Sequence, residues 1–262
     1  MKKLLSILTV FAMLFALCAP AFAETAEPLN YLLLGDSIAY GAGILNHEDA
    51  CYGRIVADTA GFNYKNDAVK GIKSGQLLSK ITGGGSVRAD IQEADIISIS
   101  IGGNDFIKNP LYIPAVIMSA LGFDSLADNI VDSFYPNFCN IIKEIKALNP
   151  DALILVQTLY NPQKGALRSA FDNGIMPLND CIYKYLRENP GAYEIVDVYT
   201  ALSTERGIMA IDTIHPNAKG NVLIAKAVLA KLRDLGLSDT AEPVILKEGI
   251  DEYRFIYYFF FY

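Results

Sequence analysis

The sequence predicts an α/β fold in three layers, with helices on both faces of a mainly parallel sheet of five strands. Three observations carry this prediction. Short apolar runs of strand length alternate with segments whose apolar residues recur every three or four positions. Strands separated by helices pair in parallel, and the helices then cover both faces. The runs also stop abruptly in polar or glycine-rich motifs, and ligands bind such sheets beyond the carboxyl ends of the strands.

Taken in order, Asn30 to Leu34 (NYLLL) is the first strand, ending in Gly-Asp-Ser. A helical stretch covers Cys51 to Ala60 and is closed by Gly61. Phe62 to Val69 is a second, partly polar strand, and Gly83-Gly84-Gly85 is a flexible connector. Ile96 to Ile101 (IISISI) is the third strand and stops at Gly102-Gly103. Ile130, Phe134, Phe138, Ile141, Ile145 and Leu148 line one helical face. Ala152 to Leu159 is the fourth strand and Glu194 to Val198 the fifth. Val222, Leu223, Val228, Leu229, Leu232 and Leu235 mark a final helix.

Composition narrows the function. The chain has 262 residues, 52% hydrophobic, with a formal net charge of -7. That much apolar material buries a full core, which excludes wholesale disorder. The acidic balance argues against a nucleic-acid partner, which needs Lys and Arg against phosphates. No CxxC or HExxH spacing occurs, so no metal site is expected.

Lys2 and Lys3 precede an apolar run to about Cys18, followed by Pro20 and Ala21-Phe22-Ala23. This is the order of a secretory leader cut after Ala23, which predicts an exported protein with no stable membrane span; a membrane anchor is the alternative. Residues 24–240 form one domain on this reading, and 241–262 a tail of unknown role. The tail ends in Phe255 to Tyr262 (FIYYFFFY), either an extra strand, a poorly ordered end or a contact surface. Removing the leader leaves Cys51, Cys139 and Cys181, an odd number that allows one disulfide at most. Each reads as a buried small hydrophobe.

Four motifs carry chemistry. A hydrolase working near neutral pH needs an imidazole as base, and only His47 and His215 are present. His215 lies in Asp212-Thr213-Ile214-His215-Pro216, where the carboxylate three residues upstream can fold back onto one ring nitrogen. His47 is expected in a loop, with a contact to substrate at the rim as the alternative. Ser37, in Gly35-Asp36-Ser37-Ile38, follows the first strand directly, and its hydroxyl needs a base to become a nucleophile. Asp36 reads as structural. Asn104, in Gly102-Gly103-Asn104-Asp105, can donate its amide to a developing oxyanion. Gly71, closing Asn66 to Gly71, lets a backbone N–H approach the same oxyanion.

In that order the four motifs resemble the blocks of the SGNH (GDSL) hydrolase superfamily, over roughly Asn30 to Leu235. The resemblance implies a flavodoxin-like sheet, Ser37 as nucleophile, His215 as base and Asp212 orienting it. It also implies an oxyanion hole from the Ser37 and Gly71 N–H groups and the Asn104 amide, with no cofactor. The expected substrate is a small-molecule or lipid ester. Phe106 to Asp128, rich in Leu, Ile, Val and Met, is read as an acyl groove, a lid or a helix packed on the core. The alternatives are a carbohydrate O-acetylesterase and a non-catalytic surface-binding protein.

Overall fold

The computed structural model describes residues 27–108, 128–165 and 168–252. The predicted leader, most of the apolar segment 106–128 and the aromatic run 255–262 lie outside the described residues. The strands are β1 (Asn30–Gly35), β2 (Asn63–Asn66), β3 (Ile96–Ser100), β4 (Leu153–Gln157) and β5 (Glu194–Val196). The helices are α1 (Ser37–Tyr40), α2 (His47–Ala50), α3 (Tyr52–Ala60), α4 (Ser74–Thr82), α5 (Ser86–Glu93), α6 (Gly103–Ile107), α7 (Asp128–Leu148), α8 (Arg168–Glu188), α9 (Val198–Ser203) and α10 (Ala218–Asp234).

The five strands form one sheet in the order β2-β1-β3-β4-β5, and every adjacent pair is parallel. Side chains alternate across a strand, so each strand feeds two cores. Leu32, Leu34, Ile97, Ile99, Ile154 and Val156 face the layer of α4, α5, α7 and α8. Tyr31, Leu33, Ile96, Leu155 and Val196 face the layer of α3, α9 and α10. This is the predicted three-layer sandwich, with a wholly parallel sheet. After β1 the chain runs to β2 on one side and then to β3 on the other. The sheet therefore reverses its order between β1 and β3, and that switch point is the ligand crevice of open α/β sheets.

Every strand after β1 is shorter than its sequence run, and for β2 and β5 the reason is local. The Asn66 side chain accepts from Ala68 N–H at 3.0 Å and turns the chain out of regular β2, although Asp67 N–H and Val69 N–H still reach the β1 carbonyls of Leu33 and Gly35. β5 stops at Val196 because Asp197 caps α9, accepting from Thr200 N–H. The predicted helix closed by Gly61 is α3, with Gly61 in the left-handed conformation at its end. The triple-glycine connector joins α4 to α5, two helices that the sequence patterning did not predict.

The helix α8 was not predicted either. It contains Gly174 and Pro177, both poor residues for a helix interior. What makes it a helix is its buried stripe of Phe171, Ile175, Leu178, Ile182 and Tyr185. Gly174 is required there by packing, since a Cβ at that position would sit 2.2 Å from the Phe106 ring.

Residues 241–252 run back over the main body. Ala241 is buried, Asn46 bonds Glu248 O and Ile250 N–H, and Asp251 accepts from Ala218 N–H at the start of α10. Among the described residues no helix is long and apolar enough to cross a membrane.

Candidate active site

Ser37 is presented by the exit from β1. Gly35 pairs with Ser100 at the end of β3 and has φ +123°. A Cβ at Gly35 would stand 1.9 Å from Ser100 O, so only glycine allows the strands to stay this close while the chain turns. Asp36 N–H then donates to Ser100 O at 2.9 Å. The buried Asp36 carboxylate accepts from Ile38 N–H at 3.0 Å and from Ser100 Oγ at 3.1 Å, capping α1 and tying it to β3. Burial raises this carboxyl to about 6, although the hydrogen bonds from Ile38 and Ser100 pull the other way. Asp36 is structural, and Ser37 follows it at the switch point, 9% exposed.

His215 comes from the loop before α10. The D-x-x-H spacing folds into a local turn in which Asp212 Oδ1 accepts from Ile214 N–H and His215 N–H, both at 3.0 Å. Asp212 Oδ2 pairs with His215 Nδ1 at 2.5 Å, and His215 Nε2 stands 2.9 Å from Ser37 Oγ across 178 residues of sequence. Thr213 takes φ +60° to make the turn and is the one non-glycine residue with positive φ among the described residues. Burial pushes the Asp212 carboxyl up, but the bonds from the His215 ring and from two backbone N–H groups outweigh it, and the net is below the usual carboxylate range. Neighbours fix the loop further. Tyr160 Oη donates to Ile214 O at 2.6 Å, Ala210 N–H to His215 O at 2.7 Å, and Asn221 Nδ2 to Pro216 O at 3.1 Å.

Asn104 is in the first turn of α6, directly beyond β3. Its Nδ2 donates to Ile72 O at 3.1 Å, which ties the β3 exit to the segment after Gly71 and uses one of its two amide hydrogens. Ser37, Asn104 and His215 share one cavity of about 240 Å³. Gly71 does not line it. It borders a neighbouring depression with Lys70, Gln76 and Lys80, connected to Asn104 through Ile72. The ammonium of Lys108 bridges the two hollows: it donates to Gly71 O at 2.8 Å while its side chain lines the cavity.

Most of the remaining cavity wall is apolar, with Gln157 and Thr158 as polar side chains at the end of β4. Phe106 and Ile107 come from α6, Leu159, Tyr160 and Pro162 from the β4 exit, and Phe171 and Ile175 from α8. The sequence reading missed the last two groups and Lys108. The β4 exit had a usable signal, because its position at a strand's carboxyl end marks it as part of the crevice. The wall from α8 had none, because that helix itself was not foreseen.

Other candidates lie elsewhere. His47 is not in a loop: it begins α2, packs at a tilt against the Tyr40 ring with centroids 4.1 Å apart, and does not line the cavity. The three thiols among the described residues are free, with Cys51 and Cys181 buried and Cys139 only half-buried. Burial pushes each of them above its ordinary value, Cys181 to about 11, the opposite of an activated nucleophile. Among the described residues no group of three His, Cys, Asp or Glu gathers as metal ligands.

The comparisons agree with this architecture. The GDSL-like lipase/acylhydrolase family matches residues 33–223, and the chain belongs to that family. Its fold and family make it an esterase- or lipase-type hydrolase acting on ester bonds. An uncharacterised Bacillus subtilis protein, YpmR, is 29% identical, with 82% of this chain and 85% of that protein covered. Among solved structures, the lipase Lip_vut3 from a goat rumen metagenome shares the fold with a TM-score of 0.64 and 20% identity, over 80% of this chain and 99% of that one. A phospholipase A1 from Streptomyces albidoflavus has a TM-score of 0.57 and 18% identity, over 74% and 95%.

Proposed function

We propose that the protein is a secreted serine ester hydrolase of lipase or acylesterase type, working through an acyl-enzyme on Ser37. The observation that carries this reading is the 2.9 Å approach of His215 Nε2 to Ser37 Oγ, with the opposite ring nitrogen held by Asp212. In the acylation step Ser37 Oγ attacks the ester carbonyl carbon while His215 Nε2 takes the hydroxyl proton. The carbonyl oxygen becomes an oxyanion, which accepts from Ser37 N–H and from the free hydrogen of the Asn104 amide, the two donors that border the cavity. Collapse breaks the bond to the alcohol oxygen, which leaves with the proton from His215. Water, deprotonated by the same imidazole, then attacks the acyl carbon, and His215 returns the proton to Ser37 Oγ as its bond to that carbon breaks and the acid leaves. Asp212 keeps the ring in the required tautomer throughout.

The apolar wall of the cavity supports an acyl chain longer than acetyl, because an acetyl group would leave most of the lining unfilled. An aryl-ester panel of increasing chain length, run on wild type and Ser37→Ala, tests both parts. Wild type is expected to cleave medium-chain esters best, and Ser37→Ala to lose nearly all turnover while staying folded. Cleavage confined to acetyl esters of polysaccharide selects the carbohydrate acetylesterase reading; equal rates in both proteins remove Ser37 as nucleophile.

Export rests on the charged, apolar and small-residue order of residues 1–23. A cut after Ala23 falls before Asn30, where β1 begins, so the sheet keeps all its strands. The intact mass of protein recovered outside the cytoplasm should begin at Glu24; retention of the leader would contradict this.

A further inference from the structure

The wall of the site beyond Asn104 is cationic in a chain of net charge -7. Lys70, Lys73, Lys80 and Lys108 all surround Gly71 or the turn that follows it. None of the four is in an ion pair among the described residues. Lys73 feels the buried Asp105 carboxylate, and Lys80 that of Asp67. Lys70 has the Tyr40 ring, 4.6 Å from its ammonium to the ring centroid, and lies within electrostatic reach of His47.

Lys108 is the best placed. Its Nζ would stand 2.3 Å from a Cβ at Gly71, so the ammonium occupies the space that any side chain there would take. It donates to Gly71 O, and its own carbonyl accepts from Lys73 Nζ at 3.1 Å. One of its three N–H groups is used this way and two have no partner among the described residues. Its stem meanwhile lines the apolar cavity beside Ser37, Asn104 and Phe106. Like charges gathered at one point repel, and a bound anion relieves that repulsion.

We propose that Lys108, supported by Lys70, recognises an anionic group on the substrate: an ester whose apolar chain fills the cavity and whose phosphate or carboxylate sits a few bonds from the scissile carbonyl. This rests on reading the cavity as the ester-hydrolysing site. The anion can belong to a lipid headgroup or to a small soluble ester, since the recognising chemistry is the same.

Two matched pairs separate these sources and test the inference. Hexanoylglycerol 3-phosphate is compared with hexanoylglycerol below aggregation, and the two oleoyl counterparts are compared in vesicles of neutral phosphatidylcholine. The readout is the ratio of kcat/KM for anionic over neutral ester in wild type, Lys108→Met and Lys108→Arg. The ratio cancels any general loss of activity in a variant. Wild type should favour the anionic ester roughly tenfold, with the preference shrinking as salt is raised. Lys108→Met should bring the ratio to near one and Lys108→Arg should keep it. A preference in both pairs identifies a soluble anion as sufficient, and a preference in the oleoyl pair alone identifies a lipid headgroup. Hydrolysis of all four esters with no preference, or with a ratio that Lys108→Met leaves intact, overturns the inference and spares the hydrolase reading. If wild type cleaves none of them, and no aryl ester either, both fall together.

Discussion

The two sides of the cavity are built on different principles. On the histidine side, Asp212 holds His215 by bonds that span two or three residues, inside a single turn. On the opposite side nothing is local: Asn104 reaches Ile72 across 32 positions, Lys108 reaches Gly71 across 37, and Lys73 reaches Lys108 across 35. The pairing of Asp212 with His215 is therefore set within one short turn that Tyr160 braces from afar, while the Asn104 side exists only once β2, β1 and β3 and the loops beyond β2 and β3 have assembled. The difference teaches that proton transfer and charge stabilisation can be damaged independently here.

The largest effect tests this separation. Asp212→Asn should lower kcat by about 10³, because the wrong tautomer faces Ser37. Asn104→Ala should cost about 10² in kcat, the loss of one oxyanion donor, and leave the pH profile with the shape of wild type. Parallel pH–rate profiles check both. If Asn104→Ala also reshapes the profile, the two sides are not independent.

A smaller effect concerns Asp36, which connects them by accepting from both α1 and β3. Its carboxyl is raised to about 6 in the folded protein by burial, from an ordinary 3.8. Between these values the folded state holds a proton that the unfolded chain has lost. Stability should therefore fall as pH rises from about 4 to about 6 and level off above. A rise of that size corresponds to at most about 3 kcal/mol. Asp36→Asn keeps an acceptor oxygen for Ile38 N–H and should flatten this contribution in urea unfolding from pH 4 to 7. An unchanged slope would assign the proton to another group; Asp67, also raised to about 6 by burial and by the Asp90 carboxylate beside it, is the next to test.

The same contrast explains what could be read from sequence. The three layers, the strand exits and the D-x-x-H turn were legible because each depends on neighbours within a few residues. The helix α8 was not, because Gly174 and Pro177 argue against it locally and only burial against Phe106 and the sheet makes it stable. Its contribution to the cavity, Phe171 and Ile175, stayed hidden with it. Lys108 was invisible for a similar reason. Nothing near it in sequence says that its ammonium ends on Gly71, and that contact needs the registers of β1 with both β2 and β3.

The central claim, that His215 activates Ser37, is tested most directly by labelling with an alkyl fluorophosphonate and mapping the adduct by mass spectrometry. The account predicts one adduct, on Ser37, formed rapidly in wild type and slowed by orders of magnitude in His215→Ala. An adduct on another residue, or equal labelling of Ser37 with and without the imidazole, would contradict it.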